Sequence, residues 1–431
     1  MSDRTPQSAF FDRAKKPPAT EKKQSRRAVE VSNFFLADVQ TGLGPFLAAY
    51  LAAAHWRPDQ VGLALTVGGV ITVVVQTPAG SFVDRVHAKR ALLIAGSLVL
   101  AVGAVLLSLS TDQWAVFIAQ VLIGSAAPFL APTLAAITMG LTGPERFDIQ
   151  FGRNQSFNSA GNVASAGLIA AISRWFGNRA IFLATALFTI PTVVSILMIR
   201  SQDIHHTLAR GGREQCDEEP QQTESITQVL LSDRVLLAFL VASSCFHLAN
   251  AAMLPELGEM LNHGSSTTAA PFMSACVLVT QIVIMCSAAF LGRAANRIGR
   301  RPLLLLGFGV LPFRAVLYTL THATVLLVAI QVLDGVANAI FTVVSVLLVA
   351  DRTRGSGRFN LAQGALATAV GIGAALSNLI GGKLAQECGF NRSFLGLGVI
   401  AVIALLLVWA FVPETLSRVQ SASASRSQPA R

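Results

Sequence analysis

Charged residues are scarce in this chain: only 13% of its 431 residues are Asp, Glu, Lys or Arg. A soluble domain normally carries about a quarter charged residues. The hydrophobic fraction is 53%, and the mean hydropathy is +0.58. These proportions exclude an ordinary soluble protein and indicate an integral membrane protein.

Cysteine is also scarce, with five scattered residues. Three of them, Cys245, Cys276 and Cys286, lie in apolar runs, where free cysteine is ordinarily a small buried hydrophobe. We therefore predict neither a disulfide framework nor a metal site. The sequence lacks a nucleotide-binding glycine loop and a nucleophile elbow as well, so we predict no cofactor, no enzyme and no primary pump.

Long polar stretches are few, and apolar runs of about 20 residues recur, each long enough to cross about 30 Å of hydrocarbon. Barrel strands would be shorter and would alternate in polarity. The runs predict an all-α integral membrane protein with twelve transmembrane helices. Their approximate bounds are 31–54, 61–83, 91–110, 114–139, 155–175, 180–199, 235–254, 271–291, 302–321, 323–350, 362–384 and 394–412.

The domain organisation follows from these runs. We predict a disordered basic cytoplasmic tail (1–29), an N-terminal six-helix bundle (30–200), a cytoplasmic linker (201–234), a C-terminal six-helix bundle (235–413) and a cytoplasmic tail (414–431). Of the 33 Lys and Arg residues, five fall on the outside if both termini are cytoplasmic, and Arg314 falls inside a span. The other 27 are cytoplasmic, which is the bias that sets membrane orientation. The net charge of +10 is thereby explained without nucleic acid.

An internal repeat relates the two halves at an offset of 212 residues. Phe34–Asp38 aligns with Phe246–Asn250, and Gly80 aligns with Gly292. Six spans separate each pair, and an even number preserves direction across the membrane. The halves are therefore predicted to be parallel repeats, and transporters with this symmetry bind substrate near the midplane where the halves meet.

Two loops carry a matching motif. The loop after the second span contains Gly80, Asp84 and Arg85, and the loop after the eighth contains Gly292, Asn296, Arg297, Arg300 and Arg301. The spacing resembles the Gly-x-x-x-Asp-Arg-x-Gly-Arg-Arg signature of the major facilitator superfamily. His87 and Ala88 depart from it in the first copy, and Asn296 replaces the acid in the second. The resemblance implies two six-helix halves and leaves the substrate open.

These loop residues are predicted to form a cytoplasmic gate. An acid and an arginine at the end of a span pair with charges and helix ends of the neighbouring half. Such a contact holds one conformation and breaks in the other. The alternative is a static anchor for a tight turn.

Polar residues within the spans are the candidate site. Asp38 lies in the first span, where an acid costs about 2.5–3.5 kcal/mol. It is predicted to bind protons and substrate, or else to be a structural acid. The resemblance places Asp38, Asn250 and Asp334 towards the cavity, because the first, fourth, seventh and tenth helices line it in that superfamily. Asp334 is a second proton-coupling candidate, or a structural ion pair with Arg314 in the preceding span.

Neutral polar side chains complete the candidate substrate site. Asn158 and Asn162 belong to a stripe of amides that starts at Asn154, with four-residue spacing on one helical face. They suit either a polar solute or hydrogen bonds between helices. His247 lies on the face of Asn250 and is a ligand or a structural histidine, and Gln331 is a further candidate.

The sequence thus predicts a secondary active transporter for a small polar or amphipathic organic molecule, coupled to protons. Alternatives are an uncoupled facilitator, a drug or metabolite exporter of the proton-antiport type, and a transport-dead sensor. The expected partners are the small-molecule substrate, protons and the lipid bilayer, with no nucleic acid and a monomeric chain. The expected location is a bacterial inner membrane with both termini cytoplasmic.

Overall fold

The computed structural model of the protein describes residues 19–41, 47, 50–51, 54, 56, 58–176, 179–212, 233–262 and 269–415. Twelve long helices account for most of these residues. They are α1 Ala19–Thr41, α2 Pro58–Arg85, α3 Lys89–Leu109, α4 Gln113–Thr142, α5 Pro144–Phe176, α6 Arg179–Leu197, α7 Arg234–Asn250, α8 Ala269–Ile298, α9 Arg300–Leu320, α10 Thr324–Arg352, α11 Phe359–Cys388 and α12 Phe390–Phe411. A separate helix, Met253–Asn262, follows α7.

The helices pack as two similar bundles. In the first, α4 packs against α2 and α3, and α1 packs against α5 and α6. In the second, α10 packs against α8 and α9, and α7 packs against α11 and α12. The same helix pairs therefore recur in both halves, as the repeat predicts. We call the end of the molecule where α2 ends and α3 begins the inner end, because the charge bias predicts it to be cytoplasmic; the opposite end is the outer end.

The two halves meet through α2 against α11 and through α5 against α8. Glycines allow these helices to touch. A Cβ on Gly80 would overlap the carbonyl oxygen of Asn360, and one on Gly152 would lie 2.5 Å from the carbonyl oxygen of Ala288. Towards the outer end, Gly69 on α2 and Gly167 on α5 have no atom within 4 Å of an added Cβ. The closest contacts between the halves thus lie towards the inner end.

Ten of the described helical stretches are long and apolar enough to cross a membrane. The two predicted spans that do not meet this criterion are those of α1 and α5. Part of the first predicted span lies outside the described residues. α5 is less apolar because Asn154, Asn158 and Asn162 lie along it, and Asn154 is buried. A helix whose polar face points into the protein is expected to fail a test based on composition alone.

One predicted segment differs from the structure. A disordered tail is predicted for residues 1–29; residues 1–18 of it lie outside the described residues, but residues 19–29 belong to α1. Ala28 and Val29 are buried, and the Ser25 hydroxyl donates to Asp203 Oδ2 at 2.5 Å. The segment is helical because it packs on the inner end of the N-terminal half, a long-range contact that composition does not reveal. α5 likewise begins at Pro144, eleven residues before its predicted span.

Close approach at Gly161 generates a stability prediction. A Cβ there would overlap the carbonyl oxygen of Phe34 on α1. We expect Gly161→Ala to lower the stability by about 1–3 kcal/mol, because the two helices must move apart. Thermal unfolding of the purified protein in detergent measures the change.

Gly167→Ala is the matched control on the same helix. Its added methyl group meets open space, and alanine favours a helix over glycine. Its melting temperature should be unchanged or higher. Equal melting temperatures for the two variants would show that the α1–α5 contact does not require glycine.

Candidate functional site

The α2–α11 contact at the inner end is made by Asp84. Its carboxylate accepts hydrogen bonds from the backbone N–H of Asn360 at 3.1 Å and of Leu361 at 2.8 Å, and from Asn360 Nδ2 at 2.7 Å. These residues begin α11, where unsatisfied N–H groups and the helix dipole favour an anion. Asp84 of one half thus caps a helix of the other half.

A second contact between the halves at the inner end is made by Arg300, the first residue of α9, which reaches Asp148 on α5. Its Nη2 donates to Asp148 Oδ2 at 2.6 Å, and its Nε donates to Asp351 Oδ2 at 3.0 Å. Asn296 accepts from Arg300 Nη1 at 3.3 Å and therefore supports the arginine. Asp148 and Asn360 are equivalent in the repeat. In the first contact the acid is Asp84 of the loop motif, and it faces the start of α11. In the second contact the acid is Asp148 on α5, and it faces Arg300 of the loop motif.

Between these two polar contacts, the halves meet through aromatic rings and through the chain that follows α6. Phe147 and Phe359 pack edge to face with centroids 5.7 Å apart, and both are buried. The segment 209–211 then spans the two halves: its carbonyl oxygens accept from Asn360 Nδ2 at 3.2 Å, Phe359 N at 3.1 Å and Gly355 N at 2.5 Å. The inner end is therefore closed in this structure.

The other loop residues take different positions. Arg85 and Arg297 are exposed, and no ion pair joins either to another described residue. Arg301 Nη2 donates to the carbonyl oxygen of Trp409 at 2.7 Å, within its own half. Lys89 is buried, and its Nζ donates to the carbonyl oxygens of Val83 and Val86 at the end of α2. Gly80 and Gly292 are the points of helix contact.

His87, which departs from the family signature, packs beside His206 with ring centroids 5.3 Å apart. Burial lowers the pKa of His206, and the neighbouring His87, Lys89 and His205 lower it further. His87 is exposed, and its ring contacts the segment after α6 through His206.

A cavity of about 280 Å³ lies between the halves, one helical turn beyond the Phe147–Phe359 contact. Helices α1, α4 and α5 line it from one half, and α10 and α11 line it from the other. Its polar lining consists of amides and one hydroxyl: Asn33, Thr138, Asn154, Gln155, Asn158 and Gln363. Phe151 supplies an aromatic surface. A cavity with apolar walls and a few polar groups is typical of a small-molecule site.

A hydrogen-bonded chain links this cavity to the inner end. Gln150 Nε2 donates to Glu30 Oε1 at 2.9 Å and to Asn154 Oδ1 at 3.0 Å, and Asn154 Nδ2 donates to Thr138 Oγ1 at 2.8 Å. Glu30 also forms an ion pair with Arg153 at 3.0 Å. A carboxylate only accepts hydrogen bonds, so it fixes the orientation of the Gln150 amide and, through it, of Asn154.

A second polar cluster lies inside the C-terminal half. Arg314 on α9 is buried and forms an ion pair with Asp334 on α10. Its Nη2 donates to Asn250 Oδ1 at 2.5 Å, at the point where α7 ends. Asp334 also accepts from Thr280 at 3.0 Å and from Asn338 at 3.0 Å. This cluster joins α7, α8, α9 and α10 within one half.

The candidate substrate residues therefore separate into two groups. Asn158 lines the cavity between the halves, and Asn162 donates to Asn158 Oδ1 at 3.4 Å. The candidates in the C-terminal half are not part of the lining that the structure describes. Asn250 and Asp334 bind Arg314, whereas Gln331 donates to the Tyr318 hydroxyl at 2.7 Å. The side chain of Asp38, on α1, lies outside the described part of the structure.

His247 packs among aromatic rings. Its ring lies 4.6 Å from that of Phe341 and 5.2 Å from that of Phe246, and its Nδ1 is 3.2 Å from the carbonyl oxygen of Ser243. Phe246 stacks on Phe341, which places the group in the core of the C-terminal half. The structural alternative for this histidine accounts for all of these contacts.

Sequence reasoning missed Asn33, Gln155 and Gln363 in the cavity, together with Glu30 beside it. Asn33 lies two residues after the start of the first predicted span, and Gln155 is next to the Asn154 stripe. Gln363 precedes Gly364, which contacts the carbonyl oxygen of Gln76 across the halves. Gly364 is the repeat equivalent of Gly152, 212 residues earlier, and this repeated glycine was a usable signal that α11 approaches the other half here.

Two six-helix bundles, a polar cavity between them and a closed end define a polytopic membrane transporter. The model of the Major Facilitator Superfamily matches residues 30–294 and 281–431. The uncharacterized MFS-type transporters Rv2456c and MT2531, from two strains of Mycobacterium tuberculosis, are 40% identical over 391 residues, covering 90% of this chain and 93% of each relative. The chain belongs to the major facilitator superfamily.

More distant similarities agree with this fold. The multidrug resistance protein MdtG of Dickeya zeae is 26% identical over 157 residues, or 35% of this chain and 38% of that protein. The human organic anion transporter MFSD10 superposes with a TM-score of 0.68 at 15% identity, covering 91% of this chain and 100% of that chain. The proton:xylose symporter XylE gives 0.67 at 13% identity, covering 92% and 97%. The twelve-helix fold predicted from sequence is confirmed.

The Asp84 contact generates a conformational prediction. Asp84→Ala removes three hydrogen bonds to a charged acceptor, each contributing about 1.5–3 kcal/mol. We expect the inner end to open at least about tenfold more often. The readout is the rate at which an impermeant maleimide labels Thr368→Cys in inside-out vesicles, in a background without native cysteine. Thr368 Oγ1 lies 2.8 Å from Thr77 Oγ1 across the halves.

Arg85→Ala is the control for this experiment. It removes the neighbouring charge of the same loop, but Arg85 is exposed. Its labelling rate should match that of the parent protein. Equal rates for Asp84→Ala and Arg85→Ala would show that Asp84 does not hold the inner end closed.

The Arg314–Asp334 pair generates a stability prediction. Arg314→Leu should destabilise the protein by about 3–5 kcal/mol, because Asp334 is left without its cation. The double variant Arg314→Leu/Asp334→Leu should recover most of the loss, since a buried pair replaced by apolar groups is often neutral. Thermal unfolding in detergent measures all three proteins.

The exposed pair Lys383–Glu387, 3.9 Å apart, supplies the control. Lys383→Leu should leave the melting temperature unchanged, because exposed pairs contribute little. If the double Leu variant is no more stable than Arg314→Leu, the two charges do not act as one unit.

Proposed function

We propose that the protein is a secondary active transporter that carries a small polar or amphipathic organic molecule by alternating access, coupled to protons. The observation that carries this proposal is the cavity between the halves, lined by both, beside an inner end closed by Asp84 and Arg300. Movement of one half against the other around such a site exposes it to either side of the membrane.

The contacts at the inner end support the gating part of the proposal. Asp84 with the start of α11, Arg300 with Asp148, and the segment 209–211 with the α10–α11 connection all join one half to the other. Each is polar and lies at the end of a helix, so its groups can exchange a protein partner for water. These polar contacts can therefore break and re-form, and opening of the inner end also separates the Phe147 and Phe359 rings.

Proton coupling is proposed to act through Asp38. A carboxylate in a membrane span is costly and normally has a task. Asp334 is the weaker candidate, because its protonation would leave the buried Arg314 without a counter-ion. Charge moving through 100 mV contributes about 2.3 kcal/mol per proton, which supports about a fifty-fold substrate gradient.

The membrane and the orientation are also proposals. The mycobacterial relatives favour a bacterial inner membrane. The Lys and Arg bias favours both termini and the inner end on the cytoplasmic side. Alternating access serves import and export alike.

Vesicle transport tests the proposal. Uptake and efflux of small organic compounds are measured in inside-out and right-side-out vesicles, with and without a collapsed proton gradient. Accumulation should vanish when the gradient collapses, and Asp38→Asn should equilibrate its substrate without accumulating it, because the amide takes up no proton.

The control is Asp112→Asn, which neutralises an acid exposed just before α4, where it accepts from the Ser110 hydroxyl. It should accumulate substrate like the parent. If transport by Asp38→Asn has the same pH dependence as transport by the parent, Asp38 has only a structural role. If transport by the parent does not depend on the proton gradient, the protein is a facilitator.

A further inference from the structure

Two amide side chains of the cavity make no hydrogen bond to any other described residue. Gln155 lies on α5 of the N-terminal half, and Gln363 lies on α11 of the C-terminal half. Gln363 is only 8% exposed, and its Nε2 is fully buried without a partner. An unsatisfied buried amide costs about 1–3 kcal/mol, so its retention calls for a ligand or water.

The other polar groups of the lining are already engaged. Asn154 bonds with Thr138 and Gln150, and Asn33 Nδ2 donates to the carbonyl oxygen of Val29 at 2.9 Å. Asn158 Nδ2 lies 3.4 Å from the carbonyl oxygen of Asn33. Gln155 and Gln363, one from each half, therefore differ from their neighbours because neither makes a hydrogen bond to another described residue.

The described lining of the cavity contains no ionisable side chain. The charged groups that join its hydrogen-bonded chain, Glu30 and Arg153, neutralise one another at 3.0 Å. An ion placed in this cavity would lose its hydration without gaining a counter-charge, which is far more costly than burial of a hydrogen-bonded neutral group. The lining therefore disfavours both anions and cations.

The size of the cavity narrows the ligand further. Drug-sized ligands occupy sites of about 300–1,000 Å³, whereas this cavity measures about 280 Å³. Its walls combine amides, which donate and accept hydrogen bonds, with the ring of Phe151. A molecule smaller than a typical drug, with hydrogen-bonding groups and one apolar face, matches this surface.

We infer that the cavity binds a small uncharged molecule that donates and accepts hydrogen bonds, and that Gln155 and Gln363 hold it from the two halves. This inference rests on the proposed transport function and names its substrate class. Because the two amides belong to different halves, the ligand contributes contacts between the halves while the inner end is closed.

Two sets of related probes, each with a neutral, an anionic and a cationic member, test the charge of the ligand. The full-length protein in detergent is heated with nicotinamide, nicotinate or 1-methylnicotinamide, and with N-acetylglucosamine, glucuronate or glucosamine. We expect the neutral member of at least one set to raise the melting temperature at a concentration at least about tenfold below its charged analogues. An equal or stronger effect of a charged analogue would overturn the inference, as would no effect of either neutral probe.

Three variants test the two amides. Gln155→Leu and Gln363→Leu should each weaken the neutral probe about three- to tenfold, since each removes one hydrogen-bonding partner. Gln281→Leu is the control: Gln281 Oε1 is buried on α8 and unpartnered as well, but it is outside the described cavity lining. Gln281→Leu should bind like the parent, and equal weakening in all three variants would overturn the assignment.

A variant that is expected to gain affinity for one probe distinguishes a change in binding from a loss of folded protein. Gln363→Glu should weaken the neutral probe and strengthen the cationic member of the same set, because the cavity then holds an anion. If the inference about a neutral ligand is wrong, Thr368→Cys labelling and accumulation in vesicles are still observed. If the proposed transport function is wrong, no compound accumulates in vesicles. The two outcomes are thereby distinguishable.

Discussion

Hydrocarbon cannot hydrogen-bond to a polar group, so every polar side chain within the bundle needs a partner inside the protein. This constraint organises the structure. Arg314 finds Asp334 and Asn250 within one half, and Glu30 finds Arg153 and Gln150 within the other. Around the cavity between the halves, Gln155 and Gln363 have no hydrogen bond to another described residue, and the proposed ligand would supply their partners.

The inner end shows how a repeat keeps a contact while changing its chemistry. Asp84 caps α11 at Asn360, whereas Arg300 reaches Asp148, the repeat equivalent of Asn360. The acid has moved from the loop motif to the facing helix, and an arginine bridges the gap. Asn296 stands where the family signature has an acid. It accepts a hydrogen bond from Arg300, and Arg300 in turn makes the contact with the other half. Both contacts remain polar and can exchange with water.

Sequence reasoning succeeded where one-dimensional periodicity is sufficient. The apolar runs predicted the helices, the 212-residue repeat predicted equivalent packing in the two halves, and the loop signature predicted the superfamily. It was less effective for the site. Asn158 lines the cavity, whereas His247 packs on Phe341 of another helix. Spacing along the chain shows which residues share a face of one helix, but it does not show which side chain of another helix lies opposite.

The amino-acid sequence by itself determined the membrane class, the twelve helices and their two-fold repetition, because these depend on run length and composition. Only the tertiary structure decided which polar residues face one another. The depth and rotation of each helix are set by close contacts such as Gly80 with Asn360 and Gly152 with Ala288. Those contacts bring Gln155 and Gln363, 208 positions apart in the chain, to the same cavity. Pairing across the halves depends on packing between helices, which no single stretch of sequence encodes.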